Sequence, residues 1–251
     1  MNSESSDRPW YETAFERDYL RVYAHRNEAA ARTEAEFILA RTPPESRRRI
    51  LDIACGAARH LVWFSSAAEF SVGVDRSADL LDAAATRLGP LSTKVKLICA
   101  DMRRLPFESE FTCATLLFTS FGYFQTDKEN LTVIQQASKA LKPGGVFWLD
   151  YINEPHLRKN LQPHSTHTDG RRIIEQNRRI TDDGRVEKQI RIVTDDGERI
   201  VDESVKLYSR ERIEQMFTQA GLTVKNVWGD FDGQPHTPNS PRLIIMGCKD
   251  G

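Results

Sequence analysis

The feature that most restricts this fold is a series of short, almost unbroken apolar runs. "RRILDIA", "SVGVD", "VKLICA", "CATLLFT" and "GVFWLDYI" follow one another between residues 48 and 152. A strand with one wet face alternates apolar and polar residues; these runs do not alternate, so both of their faces must be covered. The stretches between them, 59–68, 78–88 and 127–141, read as helices, the second rich in Ala and Leu. Lys142-Pro143-Gly144-Gly145 is a helix stop and turn. Strands buried on both faces and separated by helices predict a parallel sheet packed between helical layers.

The pattern changes after residue 153. Asp169-Gly170, Asp183-Gly184 and Asp196-Gly197 punctuate alternating segments such as "RRIIEQNRRI" and "RVEKQIRIV". Asp-Gly between alternating strands is a strong hairpin signal. Residues 161–208 therefore read as an antiparallel meander inserted in the α/β domain. A helix over 209–220 follows, with Ser209 as N-cap and Gly221 as its stop. "TVKNVWGDF" and "RLIIMGC" close the sheet. The expected fold is a Rossmann-like, seven-stranded doubly wound sheet, its last strand antiparallel, with an inserted β-meander. Its parts are an N-terminal helical cap (1–43), a core (44–153), the insertion (154–208) and a closing helix with two strands (209–251). Within the cap, 8–40 reads as helix with Tyr11, Phe15, Tyr19 and Tyr23 on one face, stopped by Pro43-Pro44.

In open α/β sheets, ligands bind beyond the carboxyl ends of the strands, where strand order reverses. Those ends carry Asp52 with the Ala54–His60 loop, Asp75, Asp101 with Met102, "TSFGYF" (119–124), Asp150 with Tyr151 and Asn153, and "GDFDG" (229–233). Asp75, at the end of the second strand, is placed to accept two hydrogen bonds from a ribose diol. Asp101 is placed to accept one from an adenine amine. The loop after the first strand has Gly56 as its one glycine and no cation before Arg59. A dinucleotide pyrophosphate needs closer backbone approach than that loop permits. Ribose and adenine without pyrophosphate fit better.

"ILDIACGAARH", "VGVDRS", "ICADMRRLPF", "LLFTSFGYF" and "ALKPGGVFWLDYIN" stand in the order and spacing of class I S-adenosylmethionine-dependent methyltransferases. Together with "WYETAFERDYLRVYAHR" and "GDFDGQPHTPNSPRLIIMGCK", they make the chain resemble the bacterial small-molecule group of that family over almost its whole length. The resemblance implies S-adenosyl-L-methionine as cofactor. Asp52 and the Ala54–Gly56 backbone would then face its methionine part, and Asp75 its ribose. Arg76, Asp101 and Met102 would hold the adenine, and Phe118 and Thr119 would border the sulfonium. Tyr11 and Tyr19 are the expected contacts from the N-terminal cap. The family commonly has Thr and Gly where this chain has Ala57 and Ala58, so Ala58 is expected to strain the loop.

Methyl transfer needs alignment and exclusion of water, and a general base only when the acceptor must lose a proton early. Tyr123, Tyr151, His156 and His236 are the acceptor-side candidates. With the meander they are expected to wall an acceptor pocket on which the cofactor half does not depend. A non-catalytic cofactor-binding protein, using the meander for association, is the alternative; homodimerisation fits either reading. A small molecule is the expected partner. Lys plus Arg (35) balances Asp plus Glu (36), which speaks against nucleic acid or an anionic membrane. No segment has membrane-span length, the start "MNSESSDRPW" is polar, and the four cysteines are scattered without metal or disulfide spacing. A cytoplasmic setting is expected.

Overall fold

The computed structural model describes residues 9–12, 28–170, 172–195 and 197–251. Phe15, Tyr19 and Tyr23 lie outside them. Of the expected N-terminal helix, the described parts are a single 3-10 turn, Trp10–Glu12, and helix α1, Glu28–Arg41. The core strands are β1 (Arg49–Ile53), β2 (Phe70–Asp75), β3 (Val95–Cys99), β4 (Phe111–Leu116) and β5 (Leu141–Ile152). Helices α2 (Leu61–Ala67), α3 (Ala78–Leu88) and α4 (Asp127–Ala140) join them. A short α5, Glu154–Asn160, which the sequence reading did not anticipate, precedes the insertion. Then come β6 (His164–Asp169), β7 (Arg172–Ile180), β8 (Arg185–Thr194), β9 (Gly197–Lys206), α6 (Arg210–Gln219), β10 (Leu222–Trp228) and β11 (Arg242–Lys249).

The main sheet has the order β10-β11-β5-β4-β1-β2-β3, with β11 antiparallel to both neighbours. Strand order reverses between β1 and β4, and the candidate site opens at that point. β1, β4 and β5 are buried as their composition demands: Ile50, Leu51, Ile53, Ala114, Leu116, Phe147, Trp148 and Leu149 are all sealed from solvent, whereas β3, at the sheet edge, is only partly covered and leaves Lys96 and Cys99 exposed. Two local readings need correction. "CATLLFT" ends as a strand at Leu116, because Phe118 and Thr119 turn into the left-handed region. Lys142–Gly145 ends α4 as read, but as a bulge within β5: Phe111 pairs with Leu141 and Cys113 with Val146.

Capping follows the side chains. Thr126 and Glu129 form a reciprocal capping box on α4, and Ser209 Oγ accepts from Arg212 N at the start of α6. The insertion is a four-stranded meander, β6-β7-β8-β9. Gly170, Gly184 and Gly197 stand at its turns with positive φ, which is why Asp-Gly marked them. One face buries Ile174, Ile190 and Ile192. The other carries ion-pair ladders, Arg179–Glu187 and Arg191 between Glu175 and Glu198. The end near the core docks through Val186, Val205 and Tyr208. Among the described residues no helix is long and apolar enough to cross a membrane.

Candidate active site

A cleft lies over the ends of β1, β2 and β3. The loop after β1 forms its floor. Ala54 (φ 54°), Gly56 (φ 53°) and Ala58 (φ 61°) all adopt left-handed backbone. At the end of β4, Phe118 (φ 61°) and Thr119 (φ 63°) do the same. A non-glycine residue there costs of order 1–3 kcal/mol and persists only where its surroundings impose it. Such positions cluster here at the two strand ends that flank the point of strand reversal.

Asp75 imposes the first of these turns. Its Oδ2 accepts from Gly56 N at 2.8 Å and its Oδ1 from Ser77 N at 2.9 Å. Burial pushes the carboxyl above its ordinary value, against the pull of those amides. Each oxygen keeps a lone pair, so the group that fixes the loop still has capacity for a diol in the cleft it lines. Gly73, two residues before Asp75 in β2, is sterically required: a Cβ there would lie 2.6 Å from Leu61 and 2.8 Å from Cys55 Sγ.

Ala58 is fully buried at its positive φ. Ala58→Gly relieves strain of about 1–2 kcal/mol. Against this stand the lost burial of one methyl, about 0.8 kcal/mol, and added unfolded-state entropy of about 0.4–1 kcal/mol. The terms nearly cancel, so thermal denaturation is expected to show a shift of no more than about 4 °C, with S-adenosylmethionine affinity equal or tighter. A collapse of binding would mark Ala58 as a specific adaptation.

Asp52 sits beneath the loop, 3% exposed and outside the cleft lining, and accepts from Thr115 Oγ1 at 2.7 Å. Burial raises its carboxyl to about 6 from 3.8, opposed by His60 and the Thr115 hydrogen bond. The folded carboxyl therefore binds more protons than the unfolded one between those values. Its contribution to stability is fully present below about pH 3.8 and is lost as pH rises through 6. Asp52→Asn is expected to flatten the stability profile across that window in urea denaturation. An unchanged profile would contradict the assignment. His60, which precedes α2, makes no cap hydrogen bond. Its Nε2 instead meets Glu34 of α1, which also pairs with Arg59 at 3.3 Å.

Asp101 and Met102 line the cleft as expected, but the acid is not free. Arg103 donates to both of its oxygens, reaches Glu129 Oε1 at 2.7 Å, and lies 4.1 Å from the centre of the Phe124 ring. Burial raises the Asp101 carboxyl; Arg103 outweighs it and holds the group below its usual range. Arg76 lines the cleft and pairs with Glu12 and, at 3.5 Å, with Asp101. The Trp10–Glu12 turn closes the rim. Tyr11 lines the cleft and meets Phe124 edge-on at 5.2 Å, and Trp10 meets Tyr123 edge-on at 4.8 Å.

Phe118 and Thr119 are held from β5 and β11. Asp150, 2% exposed, accepts Phe118 N at 2.9 Å on Oδ2 and Arg242 Nε at 2.7 Å on Oδ1. Its carbonyl accepts Thr119 N, and Arg242 Nη2 donates to Thr119 Oγ1 at 2.9 Å.

The four acceptor-side candidates are not brought together. Tyr123 lines the cleft. Tyr151 is sealed in the core, where its hydroxyl donates to the Lys206 carbonyl; burial raises its phenol well above the ordinary value. His156 lies at the surface on α5 against the Asn239 carbonyl. His236 meets Asn153 Oδ1 at 3.1 Å, and burial, then Arg210, lower its affinity for a proton. Ser120 and Phe124 line the cleft without having been singled out, although "TSFGYF" contained both. Arg103 and Arg242 stood inside "ICADMRRLPF" and "GDFDGQPHTPNSPRLIIMGCK" without being singled out, and Glu34 carried no motif signal.

A methyltransferase-domain family model matches residues 50–145. The dTDP-3-amino-3,4,6-trideoxy-alpha-D-glucopyranose N,N-dimethyltransferase of Streptomyces venezuelae is 27% identical over 213 residues, 82% of this chain and 87% of that protein. The cypemycin N-terminal methyltransferase of Streptomyces sp is 24% identical, covering 81% and 84% respectively. An S-adenosylmethionine-dependent methyltransferase from Clostridium acetobutylicum ATCC 824 superimposes with TM-score 0.82 at 19% identity, over 93% of this chain and 98% of that one. The CcbJ methyltransferase from Streptomyces caelestis gives 0.82 at 17%, over 96% and 99%. At these identities the structural likeness speaks for the fold.

Proposed function

We propose, from the premise that this chain belongs to the class I S-adenosylmethionine-dependent methyltransferases, that its small-molecule acceptor is methylated on an amine nitrogen. The cleft suits the cofactor by its donor set: an acid for a diol, a thioether and aromatic edge for a flat base, and left-handed backbone where a chain must approach closely. When bound, S-adenosylmethionine supplies a methyl group already activated on sulfur. What remains for the protein is alignment and exclusion of water. Asp75 would hold the ribose, Met102 and Phe124 the adenine, and the 54–58 backbone the methionine part. Asp52 would act from beneath the loop. The Trp10–Glu12 turn, tied down by Glu12 on Arg76, would keep water from the rim.

The composition of the lining carries the choice of nitrogen. Its titratable side chains among the described residues are Tyr11, Asp75, Arg76, Asp101 and Tyr123. The two acids are bound to backbone amides or to Arg103, no imidazole is among them, and the phenols of Tyr11 and Tyr123, weak bases while protonated, are the remaining groups. A hydroxyl acceptor requires a base in the transition state; a neutral amine attacks through its own lone pair and releases its proton afterwards. The Streptomyces venezuelae relative is named an amino-sugar N,N-dimethyltransferase and the cypemycin enzyme an N-terminal methyltransferase, and amino sugars are the first acceptor class to test. Release of S-adenosylhomocysteine is to be measured with a panel of amino sugars, free and nucleotide-linked, beside their hydroxyl counterparts. Turnover with amines is expected. Turnover confined to hydroxyl compounds would overturn the choice of nitrogen, and binding without any turnover would favour the non-catalytic alternative.

A further inference from the structure

Arg185, the first residue of β8, is 4% exposed, and among the described residues no carboxylate lies within ion-pair distance of it. A buried guanidinium without a counter-charge is costly unless carbonyl dipoles surround it. They do. Nη1 donates to the Phe124 carbonyl at 3.1 Å; Nη2 to those of Tyr123 at 3.2 Å, Gly122 at 3.4 Å and Ser204 at 2.9 Å; and Nε to Ser204 Oγ at 2.7 Å. Three consecutive carbonyls of the segment after β4 thus converge on one side chain from the inserted sheet. Lys206 N adds a bond to the Gly122 carbonyl at 2.8 Å. Gly122 has φ 89°, and a Cβ on it would lie 2.8 Å from the Lys206 carbonyl, so the two pieces of backbone are pressed together here. On their other side Tyr123 and Phe124 line the cleft.

We propose that Arg185 is a positioning residue through which the inserted sheet holds the Tyr123–Phe124 wall of the cofactor cleft. This rests on the reading of that cleft as the S-adenosylmethionine site. It runs against the expectation that the cofactor half is independent of the insertion. Lysine is no substitute: its ammonium is a point donor that does not fork across three carbonyls and Ser204 at once.

The test is titration calorimetry of the full chain with S-adenosylmethionine, with KM and kcat measured on the amine acceptor that turns over. Arg185→Lys is expected to raise the dissociation constant at least fivefold and the KM for S-adenosylmethionine in parallel, with a smaller change in kcat. Ile190→Val is the control. It loosens the same sheet at a residue 1% exposed that touches none of these carbonyls, and is expected to bind as wild type. Ser204→Ala removes the anchor of Nε and keeps the arginine; a rise of two- to threefold is expected, and this variant serves if Arg185→Lys does not fold. Wild-type affinity in Arg185→Lys or in Ser204→Ala would overturn the inference. So would an equal loss in Ile190→Val, which would make the effect one of general stability. A wild-type chain that binds no S-adenosylmethionine would overturn the reading of the cleft itself.

Discussion

Asp75→Ala is expected to weaken S-adenosylmethionine binding at least tenfold in titration calorimetry. A hydrogen bond to a charged group contributes about 1.5–3 kcal/mol, and each 1.4 kcal/mol is about a factor of ten. Two effects add in this variant. The diol would lose its acceptor, and the amides of Gly56 and Ser77 lose theirs, so the loop loses the clamp that holds its left-handed turn. Asp75→Asn separates the two, because its one carbonyl oxygen keeps an acceptor for a backbone amide while the charge is gone. It is expected to bind more weakly than wild type and more tightly than Asp75→Ala. An unchanged dissociation constant in the alanine variant would remove the ribose assignment.

Asp150→Ala is expected to be the most damaging change outside the cleft lining. It strips the Arg242 guanidinium of its carboxylate and the Phe118 amide of its acceptor. Breaking a buried pair from one side costs about 3–5 kcal/mol. The Arg242 side chain is 28% exposed, so solvent recovers part of this and roughly 2–3 kcal/mol is expected. For a chain of this length that corresponds to a fall in Tm of roughly 5–10 °C. Phe118 would also lose the acceptor that helps keep it left-handed, while Thr119 keeps the Asp150 main-chain carbonyl, so kcat should fall with stability. Asp150→Asn retains one acceptor and should lie between. A Tm within about 2 °C of wild type for Asp150→Ala would show that the turn is held by other means.

The sequence by itself determined the architecture. Apolar runs without alternation required a sheet covered on both faces; β1, β2, β4 and β5 meet this, while β3, at the sheet edge, is only partly covered. Asp-Gly at intervals of 14 and 13 residues required hairpins, because glycine takes such turns without strain, and Gly170, Gly184 and Gly197 stand there. Asp75, Asp101 and Met102 were legible because the end of a parallel strand is itself readable, and all three line the cleft.

Only the tertiary structure decided which of these groups are free and what restrains them. Tyr151 looked available at the end of a strand, yet β9 covers it and takes its proton donor. Asp101 looked open to a ligand, yet Arg103 occupies both of its oxygens. Arg185 stands in the alternating segment "RVEKQIRIV" with nothing to single it out, yet it binds carbonyls 61 to 63 positions earlier in the chain. Asp150 and Arg242 meet across 92 positions. Periodicity reports which face of an element is buried, because burial depends on the local repeat. The partner of a buried polar group depends on which segments fold against it, and spacing along the chain does not encode that.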